Sequence, residues 1–366
     1  MIHARNTDRL LIISTLILVV VGVVMVYSTS YVVATKRFGS EYFFVKKQLI
    51  FAAAGIMLFI VSAKIPYRLY RHLAYPILIF AILLLLLIFV PTLSHEAGGA
   101  RRWIKIMGFT FQPSEFAKFA VIIFLAYSLE AKQSVIKDFY AGFLPNIIIP
   151  GVVIALIMSE PDFGTAVTLT ILVYVMNFAG GVKFRYLGGL TLAVLPVLYL
   201  VVTNFGYMMN RITVFLDPWK DPSGAGFQMV QSFLAFGSGG LSGVGLGEGK
   251  QKLFFLPEAH TDFIFSIIGE EMGLIGAGIT IALYLAFFIS GTRIAMRAKD
   301  LFGTYLALGL TLMISLQALV NMAVVMGVVP PKGLTLPFIS YGGTSLLVSL
   351  FAVGIILNVC IEGNEH

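Results

Sequence analysis

Three groups able to hold or move protons, Glu258, His260 and Asp262, fall within five residues of one another in Leu256-Pro257-Glu258-Ala259-His260-Thr261-Asp262-Phe263-Ile264-Phe265. The residues before this stretch are polar and glycine-rich, and those after it are strongly apolar, so a loop becomes a helix here. A side-chain oxygen at such a boundary commonly satisfies the orphan N–H groups of the first helical turn, and Thr261 or Asp262 suits that role. A carboxylate so placed also suits a general base, provided that its neighbours supply matching chemistry.

Glu115 and Lys118 are spaced i,i+3 and so share one face of an apolar helix. Ionisable groups at membrane depth are costly and are usually paired or turned to a wet cavity. Two readings fit: a structural ion pair, or a cation for phosphate positioned by Glu115. Gly98-Gly99-Ala100-Arg101-Arg102-Trp103-Ile104-Lys105 reads either as interfacial anchoring or as a basic, aromatic ledge for a pyrophosphate or sugar. Glu160-Pro161-Asp162 forms a tight link whose acids would look into the same outer cavity if the flanking spans are short. Asp262, Ser266 and Glu270, at i, i+4 and i+8, make one polar stripe that should face a cavity. Pro330–Thr344 is apolar yet full of helix breakers; it reads as a re-entrant or capping segment that brings Lys332 and Ser340 to the site. Gly243–Gly249 has glycine spacings like those of a nucleotide loop but no strand–turn–helix context, so it reads as a flexible cover over the cavity.

The elements that must position these groups are membrane helices. Of 366 residues, 58% are hydrophobic and 12% charged, with mean hydropathy +0.94, whereas a soluble domain is about 45–50% apolar and about 25% charged. Ten apolar runs predict ten spans: Leu10–Val26, Phe44–Ser62, Leu73–Val90, Phe116–Leu129 (longer if Gln112–Glu115 join it), Phe143–Met158, Thr165–Ala179, Leu187–Val202, Phe263–Ile289, Tyr305–Val329 and Ser345–Ile361. The fold class expected is all-α and polytopic, one membrane domain over 1–366 with a long extracytoplasmic loop at 204–261. Ten spans put both termini on one side. The basic linkers Lys64, Arg68 and Arg71, and Arg293, Arg297 and Lys299, mark that side as the cytoplasm, although Lys36, Arg37, Lys46 and Lys47 oppose the assignment. Twelve of the eighteen acids fall on or near the outer side, which places chemistry there. The net charge of +7 belongs to residues flanking apolar segments, where membrane lipids or an anionic lipid substrate meet them; it does not indicate nucleic acid. The single cysteine, Cys360, excludes a disulfide framework and a cysteine-ligated metal.

Together these stretches resemble the SEDS proteins (shape, elongation, division and sporulation), the family of FtsW, RodA and SpoVE. The resemblance covers nearly the whole chain. It rests on Leu256–Phe265 with Gly269-Glu270-Glu271, on Lys332–Gly343, on Gln112-Pro113-Ser114-Glu115 with Lys118, and on Arg102-Trp103. Lys332-Gly333-Leu334-Thr335-Leu336-Pro337-Phe338 looks more like the FtsW and sporulation branch than the RodA branch. The resemblance implies a glycosyltransferase of cell division, polymerising lipid II (undecaprenyl-pyrophosphoryl disaccharide-pentapeptide) at the outer face of the bacterial inner membrane. It implies a class B penicillin-binding protein as transpeptidase partner, along with other division membrane proteins. No Ser-x-x-Lys is paired with a Lys-Thr-Gly here, so the chain should not crosslink by itself. The family's essential acid maps to Asp262, its tryptophan to Trp103 and its intramembrane lysine to Lys118. On that basis Asp262 is the expected base, and Lys118, Arg102 and Lys332 neutralise a leaving pyrophosphate. Glu258 and His260 position the acceptor or hold the loop. Magnesium or manganese would assist such a leaving group, but the sequence displays no metal-ligand set. A lipid II flippase is the rival reading, since a polar cavity at membrane depth also suits transport of an anionic lipid. A scaffold for division proteins would leave the polar stripe unexplained.

Overall fold

The structure, a computed structural model, describes residues 2–90, 94–97, 100–106, 109–204, 206–253 and 256–364. Gly98 and Gly99 of the basic ledge lie outside the described residues. The ten apolar runs fall largely within helices, although Leu73–Val90 and Tyr305–Val329 overrun theirs. In chain order the helices are α1 (Ile2–Phe38), α2 (Phe43–Lys64), α3 (Arg68–His72), α4 (Ala74–Leu87), α5 (Pro113–Ala131), α6 (Leu144–Ser159), α7 (Phe163–Ala179), α8 (Phe184–Asn204), α9 (Gly206–Leu216), α10 (Phe227–Gly239), α11 (Ile264–Met296), α12 (Leu301–Val325) and α13 (Gly343–Asn364). Among the described residues, six helices are long and apolar enough to cross hydrocarbon, and Ala74–Leu87 and Phe163–Ala179 are shorter apolar helices. The chain is a multi-pass membrane protein.

The core centres on α5. Pro113 sits in its first turn, where a missing N–H costs nothing. It is buried along most of its length, from Pro113 to Leu129, as expected for a helix that is apolar nearly all round. α4, α6, α7, α12 and α13 pack around it. Pro113–Glu115 do extend this helix, with Gln112 as its N-cap.

Three departures from the sequence reading matter for the site. First, the fold is not purely helical. Strands β1 (Ser94–Ala97), β2 (Ala100–Ile106) and β3 (Phe109–Phe111) form an antiparallel sheet in the order β1-β2-β3, with a bulge between His95 and Glu96. Second, 204–261 is not a plain loop, because it contains α9 and α10. Third, span eight is broken. Gly273 has φ 64° and ψ −161° inside α11, and a side chain there would collide with the backbone of Leu241 and Gly243. Glycine is the residue that takes such a conformation without penalty, and the glycine-rich segment packs into the kink.

Residues 330–342 are irregular backbone, as the composition predicts, and the middle is buried: Leu334, Leu336, Phe338, Ile339 and Ser340 are nearly inaccessible. The segment threads between helices. A methyl group on Gly22 of α1 would collide with Phe338 and Ile339, and the Tyr284 hydroxyl of α11 donates to the Pro337 carbonyl. Surrounding side chains thus satisfy polar backbone that lipid could not.

Candidate active site

Asp262 does not cap α11. The helix begins at Ile264 with Phe263 as N-cap, and no side chain makes a capping bond. The Asp262 carboxyl is therefore left for other work. Its backbone carbonyl accepts from Asn321 Nδ2 at 2.8 Å, so α12 holds the residue from behind. The side chain is partly buried and looks toward Gly333, where an added Cβ would lie 2.8 Å from Oδ2. Gly333 is exposed, so its missing side chain keeps the carboxylate open to the outside. Burial and then the Glu258 charge push Asp262 up to about 7; Asp162 adds to this, and Arg102 and Arg211 oppose it. A carboxyl poised near neutrality matches a general base working at neutral pH.

Two segments brace the loop. The Ser340 hydroxyl donates to the Thr261 carbonyl at 2.5 Å and accepts from Leu336 N at 2.8 Å. Tyr341 N donates to the His260 carbonyl at 2.9 Å. The His260 ring packs against Phe44 and Tyr341, with centroids 4.8 and 5.8 Å away, and burial holds it below the usual imidazole range. Glu258 is exposed with φ 55°, and its Oε2 accepts from the Thr261 hydroxyl at 3.0 Å. His260 and Ser340 thus support the loop, while Glu258 acts on Asp262 through charge.

The cation side of the site is built from α5 and α12. Lys118 is 2% exposed. Its Nζ donates to Glu115 Oε1 at 2.8 Å and to Gln317 Oε1 at 2.5 Å. Gln317 Nε2 donates in turn to the Thr335 carbonyl at 3.0 Å. Lys118 is therefore part of a buried ion pair and stands one amide away from the re-entrant segment. Lys332 is partly buried on that segment, and burial together with Arg211 holds its ammonium below the usual range. Arg211, on α9, carries electrostatic weight on both Lys332 and Asp262; the sequence reading placed it in a loop and gave it no role.

Arg102 is the extra residue at the bulge: Trp103 pairs with His95 and Arg101 with Glu96, so Arg102 has no opposite number in β1. Arg102 donates to the Glu160 carbonyl at 3.4 Å and to the Pro161 carbonyl at 2.5 Å, tying the sheet to the α6–α7 link. In that link Asp162 caps α7 through Thr165 N at 3.2 Å and accepts from Gln112 Nε2 and Ser114 Oγ at 3.2 and 3.3 Å. Glu160 is 2% exposed; burial and Asp162 push it up to about 9, so it is protonated at neutral pH.

Ser266 and Glu270 do not share the opening at Asp262; both are buried against neighbouring segments. They lie before the kink, where Ser266 bonds Ser232 of α10 at 2.7 Å and Glu270 accepts from the Lys250 and Gln251 amides at 2.7 and 3.2 Å. The next acid, Glu271, pairs with Lys252 at 2.5 Å and accepts from Ser28 of α1. These acids fasten the glycine-rich segment to the bundle. Among the described residues no group of three or more His, Cys, Asp or Glu is disposed to hold a metal ion.

The Asp262 carboxyl thus sits on a helical membrane bundle beside an irregular segment, with Arg102 and Arg211 acting on it through charge. The chain belongs to the FtsW, RodA and SpoVE family of cell cycle proteins, whose profile matches residues 8–365. It is 49% identical over 352 residues to the probable peptidoglycan glycosyltransferase FtsW of Geobacter metallireducens, covering 96% of this chain and 94% of that one. It is 42% identical over 354 residues to stage V sporulation protein E of Bacillus subtilis, covering 97% of each. Its fold superposes on a chain of a peptidoglycan synthase complex that coordinates polymerization and crosslinking, with TM-score 0.81, 29% identity and 97% and 98% coverage. It also superposes on the rod shape determining protein RodA of Thermus thermophilus, with TM-score 0.72, 26% identity and 97% coverage of both chains.

Proposed function

We propose that this chain is a peptidoglycan glycosyltransferase that polymerises lipid II at the outer face of the bacterial inner membrane during cell division, with Asp262 as general base. The supporting observation is the Asp262 carboxyl itself: uncommitted to helix capping, open at Gly333, and poised at about 7. In the reaction the C4 hydroxyl of one lipid-linked disaccharide attacks C1 of another. Asp262 takes the hydroxyl proton as the new C–O bond forms. The bond from C1 to undecaprenyl diphosphate breaks, and its electron pair leaves on the diphosphate. One displacement inverts C1 and needs no covalent enzyme intermediate. Positive charge beside the departing diphosphate lowers the barrier; Lys118, Lys332, Arg211 and Arg102 supply it. Trp103, on the outer sheet, contributes a stacking face for a sugar. A magnesium or manganese ion would be carried chiefly by the substrate's phosphates.

The topology that goes with this reading has ten spans and both termini in the cytoplasm. Crosslinking would fall to a class B penicillin-binding protein, in line with the polymerization and crosslinking named for the similar synthase complex. The test is polymer formation from lipid II by the purified chain and that partner in detergent. Loss of polymer in Asp262→Asn supports the reading, and retained activity removes it. A flippase gives no polymer there and moves lipid II only across sealed vesicles.

A further inference from the structure

Gln317 and Asn321 lie one turn apart on α12, four residues from one another, so their side chains share a face. Both are nearly inaccessible, at 3% and 1% exposure. Buried amides in an apolar helix are costly unless each end is engaged; here both ends of Gln317 and the nitrogen of Asn321 are engaged, while Asn321 Oδ1 is buried without a partner. Gln317 Oε1 accepts from Lys118 Nζ at 2.5 Å, while Nε2 donates to the Thr335 carbonyl at 3.0 Å and hydroxyl at 3.2 Å. Asn321 Nδ2 donates to the Asp262 carbonyl at 2.8 Å and to the Leu334 carbonyl at 2.5 Å. One amide grips the ammonium, the other grips the carboxylate residue, and both grip adjacent residues of the re-entrant segment.

Resting on the function proposed above, we propose that Gln317 and Asn321 are positioning residues: a two-rung amide ladder on α12 that fixes the base, Asp262, relative to the cation, Lys118. The rungs are separated by about 6 Å along the helix axis, four residues at about 1.5 Å each. The chemistry selects amides. An ammonium can only donate, so the Gln317 oxygen must face Lys118 and its nitrogen must face Thr335. Glutamate at 317 would lose the donor, and lysine or arginine would lose the acceptor. Asn321 meets two carbonyls, so aspartate there would set acceptor against acceptor. Neither residue touches the reacting atoms; Asn321 acts through the Asp262 backbone and Gln317 through the Lys118 ammonium.

The test uses the chain with its transpeptidase partner on lipid II in detergent, with kcat and KM followed across pH 5.5–9 for Asn321→Ala, Asn321→Ser and Gln317→Glu. Asn321→Ala frees the Asp262 backbone. The midpoint of the pH profile should move, because the carboxyl shifts among Glu258, Asp162, Arg102 and Arg211, and kcat should fall roughly 10–100-fold. Asn321→Ser, which keeps a donor, should recover part of both. Gln317→Glu places a second carboxylate on Lys118 and should raise KM for the anionic substrate while leaving the pH midpoint in place. Loss of activity by the same factor at every pH, with KM and midpoint unchanged, overturns the inference, as does full activity. If no Asn321 variant can be purified, the KM of Gln317→Glu decides alone, and an unchanged value overturns the ladder. A wild-type chain that polymerises, together with an inactive Asp262→Asn, keeps the assignment of the base even if the ladder fails. An active Asp262→Asn sinks the assignment itself.

Discussion

If Asp262 is the base, polymerisation must follow its ionisation. With the carboxyl at about 7, roughly a tenth of the enzyme is competent at pH 6 and roughly nine-tenths at pH 8, so the rate should rise about tenfold across that interval. A carboxyl at its ordinary value near 3.8 would be fully ionised throughout and give a flat profile. Replacing Glu258 by Gln removes the second-largest cause of the upward shift. The midpoint should then move to lower pH, raising activity at pH 6 more than at pH 8. Burial remains in the variant, so the midpoint should stay above the ordinary carboxylate range. The assay is initial-rate polymer formation from subsaturating lipid II with the transpeptidase partner present, in buffers of constant ionic strength because exposed charges such as Glu258 are screened by salt. A flat wild-type profile from pH 6 to 8, or a Glu258→Gln midpoint that stays put or rises, would refute the electrostatic argument.

Three further outcomes follow from the same geometry. The folded state binds more protons at Asp262 than the unfolded state between about 3.8 and about 7, so its contribution to stability is lost as pH rises through that window; Asp262→Asn should raise the thermal midpoint in detergent at pH 8, with the difference shrinking by pH 5. Lys118→Met strands buried Glu115 and should destabilise the chain by about 3–5 kcal/mol, whereas Lys118→Met with Glu115→Gln should recover most of the thermal midpoint without recovering polymerisation. Gly333→Ala sets a methyl 2.8 Å from Asp262 Oδ2 and should lower kcat roughly 10–100-fold with an unchanged thermal midpoint; full activity would show that Asp262 is approached from another side.

Much of the scaffold was legible because hydrocarbon imposes a simple rule: the apolar runs had to become helices. The i,i+3 pairing of Glu115 with Lys118 and the burial of the middle of Pro330–Thr344 followed from cost arguments alone. The kink at Gly273 was hidden because Gly273 interrupts an otherwise continuous apolar pattern and carries no stop signal of its own. The sheet was hidden because its strands are short and lie between two spans, where Arg102 and Trp103 read as interface anchors. Gln317 and Asn321 were missed although a signal existed: two amides at i,i+4 within an apolar span are as anomalous as a charge and ask for partners. Arg211 gave no such signal, since its proximity to Lys332 and Asp262 depends on how α9 folds back.

The seat of the carboxylate also has a consequence for biosynthesis. Asn321 and Ser340, which bond the Asp262 and Thr261 carbonyls, follow the loop by 59 and 79 residues. The loop therefore emerges well before its supports are made. Its described shape waits on two later segments packing behind it.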